Sequence, residues 1–252
     1  MNPACVVNLL AFDTSTETLS LALAWEDARG PQVREQVSGG GRESSASLIP
    51  SVMALLSDAS LRLQDLQAIV FGRGPGAFTG LRTACAVAQG LAFGAGRPVL
   101  PLETLMAVAE DARLRHGCDR VVAALDARMD EVYAATYRHD GRRWHREGEV
   151  TLGPPQAIHV PAGYAVAGNV QAAYGDRLPA PALEATPTAA ALLRLAPAAW
   201  ADGQAVPPEQ ALPLYVRDKV AQTTAEREAV RALAIAAAAG SSPLAPEEGR
   251  TP

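Results

Sequence analysis

Three features of the 252-residue chain predict an α/β fold built as two related halves. Apolar residues switch between strand-like and helix-like periods. Residues 6–115 read β-β-β-α-β-α-β-α in this way. The block Ala11-Phe12-Asp13-Thr14-Ser15-Thr16-Glu17 also has a counterpart in Ala124-Leu125-Asp126-Ala127-Arg128-Met129-Asp130. Strand hairpins followed by alternating helices and strands make a mixed sheet with helices packed on it. This is the layout of a ribonuclease-H-like or actin-like ATPase subdomain, and two facing copies make an actin-like ATPase fold.

Residues 6–12 are almost wholly apolar, as a central strand covered on both faces requires. Residues 13–17 form a polar turn. Over 18–25, Leu19, Leu21, Leu23 and Trp25 alternate with Thr18, Ser20, Ala22 and Ala24, which predicts a half-buried strand. Residues 27–31 turn, 33–37 alternate as a third strand, and 39–42 form a flexible loop. Residues 47–57 carry Leu48, Ile49, Val52, Met53, Leu55 and Leu56, a broad apolar helical surface. Strand four covers 66–71, followed by a glycine-rich loop and a helix over 83–93. Strand five starts at 97–100, and 104–115 form a third helix with Thr104 as its candidate cap. In the second half, 132–137 alternate as a strand and 139–142 turn. Gly153-Pro154-Pro155 and the prolines at 179–181 interrupt this copy, so it is expected to be degraded. The expected division is 1–115, 116–220, and a tail 221–252. The tail holds a helix over 225–239 and a Pro-, Ser- and Glu-rich end expected to be disordered.

Hydrophobic residues make up 48% of the chain and charged residues 19%, enough for a sizeable core in one large or two small domains. The net charge of −5 argues against an autonomous nucleic-acid binder. Cys5, Cys85 and Cys118 form no C-x-x-C and read as reduced cytosolic thiols. The apolar run 6–12 has no basic flank or cleavage site and ends at Asp13, unlike a signal peptide. No stretch approaches the roughly twenty apolar residues of a membrane span. A cytoplasmic protein is expected.

The segment 71–82 reads Phe-Gly-Arg-Gly-Pro-Gly-Ala-Phe-Thr-Gly-Leu-Arg. Gly72, Gly74, Gly76 and Gly80 permit positive φ and close approach to the main chain. A helix starting after such a loop aims free N–H groups at an anion. Leu81 and Arg82 stand where a P-loop needs Lys and Ser or Thr. Gly72, Gly74 and Ala77 match G-x-G-x-x-A, yet no acidic residue lies between Ala77 and Glu103 to bind a ribose. The loop is an anion cradle or the relic of one. Asp13 and Asp126 end matching apolar runs. Facing a cleft, they suit metal-assisted phosphoryl chemistry; alternatively, each caps a turn through local N–H groups. His116, His139, His145 and His159 include no pair four apart, and no G-x-S-x-G surrounds Ser44, Ser45, Ser47 or Ser51. Neither a metal site nor a catalytic residue is expected. Arg73 and Arg82 flank the loop as phosphate contacts or carboxylate partners. The helices 47–57 and 83–93 carry more apolar surface than one stripe uses, which predicts a protein interface. Its expected residues are Leu48, Val52, Leu55, Ala84, Val87, Ala88 and Leu91.

Several blocks resemble the TsaB family, also called YeaZ. They are Leu10-Ala11-Phe12-Asp13-Thr14-Ser15, the segment 72–82, Ala88-Gln89-Gly90-Leu91-Ala92, Pro101-Leu102-Glu103-Thr104-Leu105, Ala124-Leu125-Asp126-Ala127-Arg128-Met129-Asp130-Glu131-Val132-Tyr133, and Pro213-Leu214-Tyr215-Val216-Arg217. They run in family order, with a loose match over 139–200. The resemblance implies an actin-like fold and a part in making threonylcarbamoyladenosine, next to the anticodon in bacterial tRNAs. It also implies an inactive sibling of TsaD, the subunit that transfers the threonylcarbamoyl group and carries a metal-binding His-x-x-x-His. The implied partners are TsaD, the ATPase TsaE, a second copy through the same helices, and tRNA through the complex. ATP serves the wider complex and no cofactor is held tightly, so Asp13, Gly72, Gly74, Gly76 and Asp126 are a relic nucleotide site. Family members often carry a His where this chain has Arg42-Glu43-Ser44-Ser45. The alternative is an active nucleotide hydrolase or sugar-kinase relative using Asp13, Asp126 and magnesium. A peptidase reading finds neither a histidine pair nor a serine elbow.

Overall fold

The computed structural model describes residues 8–39 and 42–217, apart from the side chains of 42–45. The expectations for residues 6–7, for 40–41 of the loop, for the helix over 225–239 and for the end 241–252 lie outside the described residues.

The first half runs β1 (Leu9–Asp13), β2 (Thr18–Asp27), β3 (Gly30–Gly39), α1 (Arg42–Asp58), β4 (Ala68–Gly74), α2 (Phe78–Ala95), β5 (Val99–Glu103) and α3 (Thr104–His116). The second runs β6 (Arg120–Arg128), β7 (Glu131–His139), β8 (Trp144–Gly153), β9 (Ala165–Gly168), α4 (Gln171–Tyr174), β10 (Ala182–Glu184) and α5 (Ala189–Ala201). Sheet one has the order β3-β2-β1-β4-β5 and sheet two the order β10-β9-β6-β7-β8. Counted from β6 and read from the other edge, the second order repeats the first. The pairing senses repeat as well. The first three strands of each sheet pair antiparallel, and the first, fourth and fifth pair parallel. This is the two-subdomain actin-like fold.

The second copy keeps the strands and loses the crossover helices. A single turn at Pro155–Ala157 replaces α1, and α4 with a turn at Gly175–Arg177 replaces α2. Pro154 and Pro155 open that turn, where a fixed φ and a missing N–H are tolerated.

The last helix of each half reaches the other half's sheet. α5 packs on β1, β2, β4 and β5, and α3 packs on β6, β7 and β9 as well as on its own sheet. Both helices share one core with residues of both sheets, including Val70, Leu105, Ala123, Tyr137 and Leu192. Residues up to Val216 therefore form one compact unit. A second core lies between sheet one and α1 and α2.

Four local expectations change. β2 is covered on both faces, with Ser20 and Ala22 buried, because α5 lies over its second face and the Ala189 N–H donates to Ser20 Oγ at 2.8 Å. Local periodicity predicts no helix over Ala189–Ala201. Thr188 starts it by accepting from the Ala191 N–H at 3.0 Å, and Pro197 stands inside it. α2 begins at Phe78, inside the predicted loop. α1 likewise begins at Arg42, so Arg42-Glu43-Ser44-Ser45 is its first turn. Thr104 is not a cap: Glu103 holds that position. Gly96 and Gly117 end α2 and α3 at φ +64° and +70°, the left-handed stop that glycine makes without strain. β3 is an edge strand and leaves Val33 and Val37 exposed.

Candidate functional site

β1 is sealed between α1 and α2 on one side and α3 and α5 on the other, so the carboxylate at its end is sealed too. Asp13 is 1% exposed. Its Oδ1 accepts from the Ser15 N–H at 2.8 Å and from Ser15 Oγ at 2.5 Å. Thr104 Oγ1 approaches Oδ2 at 3.4 Å and accepts from the Gly74 N–H at 3.0 Å. Burial pushes the Asp13 carboxyl up to about 6, against the pull of the Ser15 and Thr104 hydrogen bonds.

Asp126 ends the matching run of β6. Its Oδ1 accepts from the Arg128 N–H at 2.8 Å, the same bond to the residue two positions on. Tyr174 OH donates to this oxygen at 2.7 Å, and Arg128 Nη1 donates to Oδ2 at 3.1 Å. Each aspartate thus caps its own turn. The Arg128 guanidinium also pairs with Glu17 and so ties the two matching turns together. Arg128, Met129 and Asp130 have φ of 61°, 56° and 64°. Arg128 pairs with Glu131, which makes Met129 and Asp130 a two-residue hairpin loop of the positive-φ kind.

The glycines serve a packing need that the sequence leaves open. A Cβ on Gly72 would stand 1.7 Å from Asp13 Oδ2, and one on Gly80 would stand 1.8 Å from the Thr14 carbonyl oxygen. On Gly76 it would meet Ser15 at 2.6 Å. The β1–β2 turn is pressed into this backbone, with Ala77 N–H donating to the Ser15 carbonyl at 2.7 Å and Thr14 Oγ1 donating to that of Gly80 at 2.7 Å. Gly74, at φ +117°, faces residues 211–215 instead, where a Cβ would meet the Leu214 carbonyl at 2.8 Å. The Leu214 N–H donates to the Arg73 carbonyl at 2.7 Å, and Gln89 Nε2 holds the Ala211 carbonyl at 2.9 Å. The Tyr215 ring lies 5.4 Å from Phe78, and Tyr215 OH accepts from Arg82 Nε at 3.1 Å. Arg82 stacks on Phe78, and Arg73 Nη2 lies 3.6 Å from Glu103. Among the described residues no cluster of three His, Cys, Asp or Glu is placed for a metal ion, and no helix is long and apolar enough to cross a membrane.

The expected interface residues require correction. Leu48, Val52, Leu55, Ala84 and Ala88 are buried against sheet one, and Val87 and Leu91 pack at the edge of the same core. The apolar side chains these helices turn outward are Ile49, Met53 and Phe93, at 47%, 49% and 80% exposure. Gly90 and Gly94, also exposed on α2, have open space where a Cβ would be. No charged residue lies between Glu43 and Asp58 or between Arg82 and Arg97. Sequence periodicity missed this face because both helices are apolar nearly all round. Exposed, uncharged positions flanking the buried stripe were the available signal.

A family model described as TsaD, tRNA N6-adenosine threonylcarbamoyltransferase, matches residues 35–173, more than half of the chain. The chain is 35% identical over 227 residues to the tRNA threonylcarbamoyladenosine biosynthesis protein TsaB of Escherichia coli, covering 85% of this chain and 96% of that one. It is 43% identical over 127 residues to the Haemophilus influenzae protein of the same name, covering 50% and 52%. The solved structure of YeaZ from Pseudomonas aeruginosa matches with a TM-score of 0.76 at 41% identity, covering 83% of this chain and all of that one.

Proposed function

The chain belongs to the TsaB (YeaZ) family, and from that membership we propose that it works in the biosynthesis of threonylcarbamoyladenosine in tRNA. In this reading it is a non-catalytic, cytoplasmic subunit. It binds and supports a TsaD-type transferase, meets a TsaE-type ATPase and tRNA within the same assembly, and holds no nucleotide tightly by itself.

The observation that carries the reading is the outer face of α1 and α2. Ile49, Met53 and Phe93 are exposed on helix stretches that hold no charged residue between Glu43 and Asp58 or between Arg82 and Arg97. An exposed apolar patch of this kind marks an interface. Glycines without neighbours at Gly90 and Gly94 would let a partner helix approach the α2 backbone closely. The same face is available to a second copy when the transferase is absent. The filled glycine turn supports the non-catalytic part. Gly72, Gly76 and Gly80 make room for Asp13, Thr14 and Ser15 rather than for a phosphate, and residues 211–215 cover Gly74.

The test is size-exclusion chromatography with light scattering, on the chain alone and mixed with the TsaD-type protein of the same organism. A co-eluting complex that is lost in Met53→Glu and Phe93→Glu, both still folded by circular dichroism, is the expected result. Failure to co-elute at micromolar concentration, with or without TsaE and ATP, would overturn the partnership. Steady ATP hydrolysis by the isolated chain that Asp13→Ala abolishes would replace the scaffold with an enzyme.

A further inference from the structure

A cavity of about 770 Å³ opens between α3, the C-terminal half of α5, the β7–β8 turn and residues 204–212. Neither aspartate of the matching turns lines it, and no residue of α1 or α2 does. Met106 on α3 and Leu195, Ala198 and Ala199 on α5 form its apolar wall.

The remaining lining is strongly charged and unbalanced. Five arginines (73, 113, 142, 143 and 194) stand against Glu103, Glu110 and Asp202. The difference, five minus three, is a formal +2 in a chain whose net charge is −5. Each of these carboxylates is already occupied. Glu110 accepts from Trp144 Nε1 at 2.9 Å, Arg194 Nε at 3.0 Å and Arg113 Nε at 3.1 Å. Glu103 accepts from Arg146 Nη1 at 2.7 Å and Tyr137 OH at 2.9 Å, and Asp202 accepts from Arg143 Nη1 at 2.9 Å. The arginines are not saturated in return. Arg113 and Arg194 use only Nε on Glu110, which leaves their terminal amino groups without an acceptor among the described residues. Among the described residues the buried Arg73 Nε has no partner, and the exposed Arg142 bonds through its backbone N–H alone.

We propose that this cavity binds a small organic phosphomonoester, with its phosphate on the arginines and its organic body against the α3–α5 wall. A phosphomonoester carries close to two negative charges at neutral pH, which the lining excess matches. Guanidinium forks bind phosphate oxygens with two aligned N–H donors, as an ammonium does not. The volume lies within the range of small-molecule sites. The site is independent of the α1–α2 face and stands whether or not that face binds a transferase.

Phenyl phosphate is the first probe, titrated into the full chain with the Trp144 indole N–H followed by NMR. Saturable binding that shifts this resonance is expected. Arg142→Gln should weaken it about tenfold, the scale of one charged hydrogen bond, and Ala198→Phe should weaken it by filling the wall. Among the described residues Arg142 has no side-chain partner to lose, and a thermal melt controls for unfolding in both variants. Inorganic phosphate should bind more weakly than phenyl phosphate, and benzyl alcohol should not bind. No saturable binding at millimolar probe, or binding that neither variant changes, would overturn the proposal. Equal binding of inorganic phosphate would overturn the organic body.

Discussion

Replacing Asp13 by Asn tests whether the carboxylate is as isolated from water as the fold makes it. The two side chains have nearly the same shape. Asn Oδ1 can still accept from the Ser15 N–H and Oγ, and its amide can donate to Thr104 Oγ1. Only the titration is lost. The Asp13 carboxyl rises from 3.8 to about 6, which is worth about 3 kcal/mol at 1.36 kcal/mol per tenfold change in proton affinity. Between those pH values the native chain keeps a proton that the unfolded chain has released. Stability from this group is therefore complete below about pH 4 and is lost as pH rises through about 6. The assay is urea unfolding of both chains at a series of pH values. The stability of Asp13→Asn minus that of the parent should grow by about 3 kcal/mol from about pH 4 to neutral pH. Groups held below their usual values, such as Asp65 and Asp140, titrate in both chains and drop out of the difference. A difference that stays level would mean Asp13 is solvated. A difference that falls with pH would require a cation against the carboxylate, and the packing described for β1 would be wrong.

Gly80→Ala should destabilise the fold by about 3 kcal/mol, because its Cβ meets the Thr14 carbonyl and no rotamer relieves a backbone clash. Gly90→Ala, in open space on the same helix, should instead stabilise by about 0.5–1 kcal/mol in the same urea assay. Leu48→Ala should cost about 2–4 kcal/mol, whereas Met53→Ala, one turn further on the outer face, should stay within about 0.5 kcal/mol; equal losses would refute the assigned helix faces. Met129→Asn should raise the melting free energy by about 0.5–1 kcal/mol, since Asn tolerates the positive φ of that hairpin loop better than Met.

How far the sequence carries depends on what each residue type can report. The apolar run ending in Asp13 was enough to predict a strand covered on both faces, and the Asp126 block was enough to predict its repeat. The order of helices and strands in the first half followed from periods that are local, whereas most elements of the second half, α5 among them, did not. The two half-exposed readings failed for one shared reason. Ser20 and Ala22 look like the solvent side of β2 until a helix from residues 189–201 arrives to cover them, and no local pattern announces a partner so distant in the chain. Leu48, Val52 and Leu55 looked available because α1 is apolar all round, and only the position of sheet one decides that Ile49 and Met53 face outward instead.

The glycine segment marks the boundary between the two kinds of information. A glycine reports that a Cβ does not fit or that φ is positive; it says nothing of what fills the space. Here the space beside Gly72 and Gly80 belongs to Asp13 and Thr14, and the space beside Gly74 to Leu214, far along the chain. By itself the sequence determined the strand and helix periods of the first half, the internal repeat and the aspartate that ends each matching run, because these rest on neighbours in the chain; that both aspartates cap their turns is a finding of the structure. The tertiary structure alone decided the exchange of α3 and α5 between the sheets, the outward face of α1 and α2, and the gathering of five arginines around one cavity, because each depends on how separate elements pack against one another.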